Sequence, residues 1–138
     1  MAAPKPQGIL EAALYVDDLD VAEAFYGGVL GLKRISRHGN RHVFYRVGGT
    51  ILLLFNATET RLPTDNPRLP VPPHGTTGDG HVCFAMAGDD LDRLTDALAQ
   101  AGVPVEADFR WPNGARSVYF RDPAGNSIEY AEPHLWEG

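Results

Sequence analysis

Basic residues are the scarcer charge in this chain: 12 Lys and Arg stand against 18 Asp and Glu, giving a formal net charge of −6 and a pI near 5.2. No cluster of Lys or Arg occurs anywhere along it, which argues against a surface that tracks phosphates and so against nucleic acid as a partner. The longest apolar run, Ile51 to Phe55, is far too short to cross a bilayer, and the first residues lack the basic-then-apolar pattern of a secretory signal. The expectation is a soluble, cytoplasmic protein with no membrane partner. Cysteine occurs once, so no intrachain disulfide is possible, and Cys83, between Val82 and Phe84, reads as a buried strand residue rather than a reactive thiol. What is present suffices for one globular domain: 138 residues, 43% hydrophobic and 22% charged.

The chain repeats itself. Asp17-Asp18-Leu19-Asp20 returns as Asp89-Asp90-Leu91-Asp92, and Arg41-His42-Val43-Phe44-Tyr45-Arg46 returns as Arg116-Ser117-Val118-Tyr119-Phe120-Arg121. Two similar modules follow, one over 9–56 and one over 80–132, joined by a connection at 57–79. In the first, Ile9 to Val16 reads as a strand. A helix comes next, with Leu19, Ala22, Phe25 or Tyr26, Val29 and Leu32 at helical spacing, Asp20 and Glu23 as its capping box, and Gly27, Gly28 and Gly31 weakening and ending it. Strands over 32–38, 41–47 and 50–56 complete a βαβββ order. The second module repeats it with a strand over 81–86, a helix over 90–101, and strands near 103–109, 116–121 and 126–131. Asn113-Gly114 marks a turn, which Trp111 is expected to anchor, as Trp136 is expected to pin the C-terminus. The connection holds Pro63, Pro67, Pro70, Pro72 and Pro73, a composition hostile to helix and strand alike. A loop of that length is either functional or a plain linker.

Strand alternation places Leu10, Ala12, Leu14 and Val16 against the helix and Glu11, Ala13 and Tyr15 on the opposite face. By the same rule Val82, Phe84 and Met86 meet the second helix, and His81, Cys83 and Ala85 turn away from it. Glu11 and His81 are therefore matched. Aligning Gly49 with Gly125 matches Leu53 with Glu129, so the helix-free face is apolar in one half and polar in the other. If the two faces curl together, Glu11, His81 and Glu129 converge beside an apolar wall. Two carboxylates and an imidazole in a partly dry cleft call for a proton or a cation between them. A divalent metal fits such a mixed N/O set. Each residue also has a plainer reading, Glu11 and Glu129 as solvated strand charges and His81 as a hydrogen-bonded strand-edge histidine, and spacing alone leaves both readings open.

The segments Ile9-Leu10-Glu11-Ala12-Ala13-Leu14-Tyr15-Val16-Asp17-Asp18-Leu19, Ala24-Phe25-Tyr26, Gly80-His81-Val82 and Tyr119-Phe120-Arg121-Asp122-Pro123-Ala124-Gly125-Asn126-Ser127-Ile128-Glu129 resemble the vicinal oxygen chelate superfamily, the glyoxalase, bleomycin-resistance and extradiol-dioxygenase group. The resemblance covers nearly the whole chain, and the Asp-Pro-x-Gly-Asn-x-x-Glu ending is its most specific part. It implies an α+β fold of two tandem βαβββ modules whose eight strands form an incompletely closed, barrel-like cleft. By that pattern His81 and Glu129 fall on metal-ligand positions. Glu11 falls where a His or Gln is usual, and Leu53 where metal-dependent glyoxalases carry a second Glu that ligates and moves a proton. Glyoxalase I chemistry on a glutathione hemithioacetal is therefore not expected.

Two functions remain. One is a metal-dependent enzyme that chelates adjacent oxygens of a small molecule through Mn, Fe, Ni, Co or Zn held by Glu11, His81 and Glu129, with Tyr119 and Glu129 as candidate catalytic residues. The pocket would be lined by His42, Phe44, Leu53, Phe55, His74, Trp111, Ser117 and Tyr119. The other is metal-free trapping of a cationic small molecule by aromatic and acidic side chains, as antibiotic-sequestering members do. For either, a homodimer is expected, because a half-closed barrel leaves strand edges free.

Overall fold

The computed structural model describes residues 2–137. Each half of the chain builds one four-stranded mixed sheet. The first holds β1 (Glu11–Tyr15), β2 (Lys33–His38), β3 (His42–Val47) and β4 (Thr50–Phe55) in the order β1-β4-β3-β2. The second holds β5 (His81–Ala85), β6 (Val105–Arg110), β7 (Arg116–Arg121) and β8 (Ser127–Ala131) in the order β5-β8-β7-β6. β1 runs parallel to β4 and β5 parallel to β8, and all other pairs are antiparallel. The fold is thus α+β and built of two βαβββ modules, with the sheets not closed into a barrel. The ladders also verify the internal match: Leu53 faces Ala13 and Phe44, as Glu129 faces Cys83 and Tyr119.

Helix α1 (Leu19–Glu23) starts on Asp18, whose side chain accepts from the Val21 amide at 3.1 Å. The expected capping box from Asp20 to Glu23 does not form, because both carboxylates are drawn to arginines of β2: Asp20 to Arg37 at 2.7 Å, Glu23 to Arg34 at 2.9 Å. Past Glu23 the chain continues as a wider π-helical turn over Ala24–Val29. That widening answers the choice between Phe25 and Tyr26, since both rings are buried. The helix of the second module, α3 (Gly88–Gln100), begins two residues before the expected start and buries Leu91, Leu94 and Leu98. A short helix, α2 (Ala57–Thr60), occupies the proline-free start of the connection, where none was expected; Asn56 caps it through the Thr58 amide at 3.1 Å.

The helices cover one face of both sheets, and their apolar side chains merge into a single core, with Phe25 of the first module 6.1 Å from Phe120 of the second. The Asp-Pro-x-Gly-Asn segment is the strut between the modules. Asp122 Oδ1 accepts from the amides of Ala124 and Asn126, closing a turn that needs Gly125 at φ +94°. The Asn126 side chain then accepts from the Gly80 amide at 2.7 Å and donates to the Tyr15 carbonyl at 3.0 Å, tying the end of β1 to the start of β5. A side chain on Gly80 would press to 3.1 Å of Asn126 Oδ1. Two expectations fail here. Cys83 is exposed rather than buried, because it lies on the helix-free face of β5, an edge strand of its sheet. Trp136 is 89% exposed, because the C-terminal 3-10 turn Pro133–Trp136 projects it away from the core, so it does not pin the terminus.

Candidate metal centre

The helix-free face of the second sheet gathers its polar side chains around Glu129. Although this carboxylate sits on the side away from the helices, only 5% of the residue is exposed. One oxygen, Oε2, accepts a 2.6 Å hydrogen bond from the Ser117 hydroxyl, which itself accepts from the Trp111 indole N–H at 2.8 Å. Trp111 is therefore both part of the Asn113-Gly114 hairpin, through its backbone bonds to Ala115 and Gly114, and the donor that sets the Ser117 hydroxyl. The other oxygen, Oε1, lies 3.3 Å from His81 Nε2.

The strut fixes how His81 presents that nitrogen. Asn126 holds Gly80, one residue before His81, and leads into Ser127, whose carbonyl lies 2.9 Å from His81 Nδ1. A carbonyl only accepts, so Nδ1 carries the proton, and a neutral imidazole then turns the lone pair of Nε2 toward Glu129 Oε1. Two lone pairs facing each other at that distance need a proton or a cation between them. The Nδ1–H to carbonyl bond is also the arrangement that orients metal-ligating histidines. The His81 side chain is 49% exposed, so the pair is open to solvent on that side. One imidazole nitrogen and one carboxylate are two donors of the kind a borderline divalent ion takes.

Tyr119, the register partner of Glu129, lies parallel to the His81 ring at 6.1 Å between centroids and to Phe109 at 5.8 Å. Desolvation, then the Glu129 carboxylate, push its phenol up to about 12. Cys83 lines the same floor, and desolvation together with Glu129 pushes its thiol up to about 12. Sequence reasoning missed Cys83 as a site neighbour, although strand alternation had already placed it on the face of His81.

The corresponding face of the first sheet is a ring of aromatics. His42 lies flat on Phe44 at 4.1 Å, Phe55 meets both rings edge-on, and Leu53 is 7% exposed. His74, at the end of the connection, folds over this face: it lies 4.6 Å from Phe55, and its Nδ1 is 2.6 Å from the Tyr15 hydroxyl. Its backbone is clipped to Thr60 of α2 in both directions, at 2.9 and 2.6 Å. Glu11 stays exposed at the start of β1, in register with Ile51. Among the described residues no group of three or more His, Cys, Asp or Glu converges to hold a metal. A single chain therefore brings His81 and Glu129 together and leaves Glu11 apart from them.

Comparison with known proteins agrees with this architecture. Residues 8–130 match the family model of the Glyoxalase/Bleomycin resistance protein/Dioxygenase superfamily. The metallothiol transferase FosB of Lysinibacillus sphaericus is 30% identical over 125 residues, 90% of this chain and 81% of that protein. The crystal structure of a lactoylglutathione lyase from Agrobacterium tumefaciens superposes with a TM-score of 0.87 at 43% identity, covering 96% of this chain and 98% of the other. A glyoxalase/bleomycin resistance protein/dioxygenase from Nocardioides shares the fold, with a TM-score of 0.71 at 24% identity over 95% of this chain and 85% of that one. The chain belongs to the glyoxalase/bleomycin resistance protein/dioxygenase superfamily.

Proposed function

We propose that the protein is a metal-dependent enzyme that acts on a small molecule bearing two adjacent oxygens. The observation that carries this reading is His81 Nε2, oriented through the Nδ1 contact with the Ser127 carbonyl and lying 3.3 Å from Glu129 Oε1. His81 and Glu129 would hold the ion, one of Mn, Fe, Ni, Co or Zn, and it would supply charge that binds substrate oxygens and stabilises negative charge developing on them. The chain supplies the rest. Ser117 and Trp111 fix the Glu129 carboxylate, and Tyr119, held protonated well above neutrality, offers its hydroxyl to a substrate oxygen or to the proton in transit.

Glu11 completes the set from the second subunit of a homodimer. In support, Glu11 and Ala13 of β1 and His81, Cys83 and Ala85 of β5 are all exposed on helix-free faces. Isomerisation of a glutathione hemithioacetal is not part of this reading, because Leu53 offers neither a ligand nor a proton carrier where Glu129 has its counterpart.

Thermal unfolding of chelator-treated protein with added Mn, Fe, Ni, Co or Zn tests the reading. One ion stabilises the wild type, by about 2.7 kcal/mol at a hundredfold excess over its dissociation constant, and leaves Glu129→Ala unmoved. Mixing Glu11→Ala with His81→Ala protein restores binding if Glu11 crosses between subunits. No stabilisation by any of these ions would point instead to a metal-free binding protein.

A further inference from the structure

The two modules differ in how they treat a matched pair of arginines, Arg116 and Arg41. In the second module Arg116 is neutralised twice, by Asp92 at 2.7 Å and Asp108 at 2.9 Å, and its side chain is 15% exposed. Arg41 is its counterpart in the first module. There the place of Asp108, opposite Val118, is taken by Arg37, opposite Val43. Arg37 also captures Asp20, the counterpart of Asp92, at 2.7 Å. Arg41 is thus deprived of both carboxylates, and among the described residues it makes no ion pair.

Its side chain instead turns onto the helix-free face. The guanidinium lies 5.7 Å from the centre of the Phe55 ring and donates to His42 Nδ1 at 2.6 Å. That bond consumes the lone pair of His42 Nδ1 and leaves the ring proton on Nε2, at the far edge of the ring. The guanidinium lies over Phe55, which stands edge-on to the stacked rings of His42 and Phe44. Asp17, Asp18 and Asp20 line a hollow with Asn40 and Asn56 at the same end of the sheet, and none of them pairs with Arg41.

We propose that Arg41, above the Phe55 ring and held by His42, forms a binding subsite for an oxyanion attached to a flat apolar group. A half-buried guanidinium with most of its N–H groups unspent recognises a planar oxyanion in two-pronged fashion, which a lysine ammonium cannot reproduce. Placement over the Phe55 ring selects for a ligand whose apolar part packs against the aromatic cluster. With a net charge of −6 over the chain, long-range attraction contributes nothing to anion capture, so the local pair must carry it.

The subsite does not depend on the metal, and the test is made on chelator-treated full-length protein. Benzoate, acetate and benzyl alcohol are titrated while the ring resonances of His42 and Phe55 are followed by NMR. Benzoate shifts both and binds about tenfold or more tightly than acetate, which lacks the ring, and than benzyl alcohol, which lacks the charge. Arg41→Gln weakens benzoate about tenfold or more, the loss of a charge-assisted hydrogen bond, and Arg41→Lys recovers only part of it. Unchanged thermal unfolding in both variants shows that the fold is intact. Equal affinity in wild type and Arg41→Gln, or equal affinity for benzoate and acetate, would overturn the proposal.

Discussion

The Tyr26 hydroxyl donates a 2.7 Å hydrogen bond to Asp122, joining buried residues 96 positions apart and, with them, the two modules. Asp122 is saturated: Tyr26 and the Asn126 amide reach Oδ2, while the backbone N–H groups of Ala124 and Asn126 reach Oδ1. Burial, followed by the Asp122 charge, keeps the Tyr26 phenol protonated far beyond the usual tyrosine range. The same network continues through Asn126 to Gly80 and Ser127, the residues that set the position and ring orientation of His81.

Tyr26→Phe removes one partner of a buried carboxylate and should cost about 1–3 kcal/mol in urea unfolding. Asp122→Ala leaves the Tyr26 hydroxyl, one Asn126 side-chain N–H and two backbone amides without an acceptor and should cost more. Equal stability of wild type and Tyr26→Phe would contradict the role given to this bond.

Ser117→Ala tests the support of Glu129. It strands the Trp111 indole N–H and removes the 2.6 Å donor to Oε2. Affinity for the stabilising ion should fall about 10- to 100-fold, as measured by calorimetric titration, while Glu129 and His81 remain in place.

Much of this was legible in the sequence. The repeated segments and strand alternation located both modules and put Glu11, His81 and Glu129 on helix-free faces. Alternation cannot give the twist and separation of two sheets, so it could not say that Glu11 stays apart from the other two within one chain. Nor could spacing show that Asp20 and Glu23 would leave the helix cap for Arg37 and Arg34, because that depends on where β2 passes. The π-helical turn that buries both Phe25 and Tyr26 breaks the period on which the helix was read. Trp111 was expected to anchor its hairpin, and its further hydrogen bond to Ser117 was invisible because no periodic pattern encodes it.

His42 gives a pH dependence. Desolvation, then the neighbouring Arg41 and His38, push its imidazole down from 6.5 to about 4. The fold favours the neutral ring, so this contribution is fully present above the unfolded value and is lost as pH falls from about 6.5 toward about 4, where the unfolded chain binds a proton that the folded chain refuses. Urea unfolding across that window should show stability falling in the wild type and falling less in His42→Phe. The His42 ring resonances should stay those of a neutral imidazole until near the lower limit.

Leu53 makes a negative prediction. With Phe44 and Ala13 as its register partners, it leaves the first module without a carboxylate at the counterpart of Glu129. Metal-loaded protein should therefore not isomerise the hemithioacetal of glutathione above background. Turnover above background by the wild type would show that a carboxylate at this position is not needed.

The most direct test of the metal centre is metal content, by mass spectrometry, of untagged protein purified without chelator, alongside His81→Ala and Glu129→Ala. A near-stoichiometric divalent ion in the wild type and its loss in both variants is the expected result. A wild type that holds no metal after reconstitution with Mn, Fe, Ni, Co and Zn, or variants that keep it, would rule out His81 and Glu129 as ligands of a metal centre.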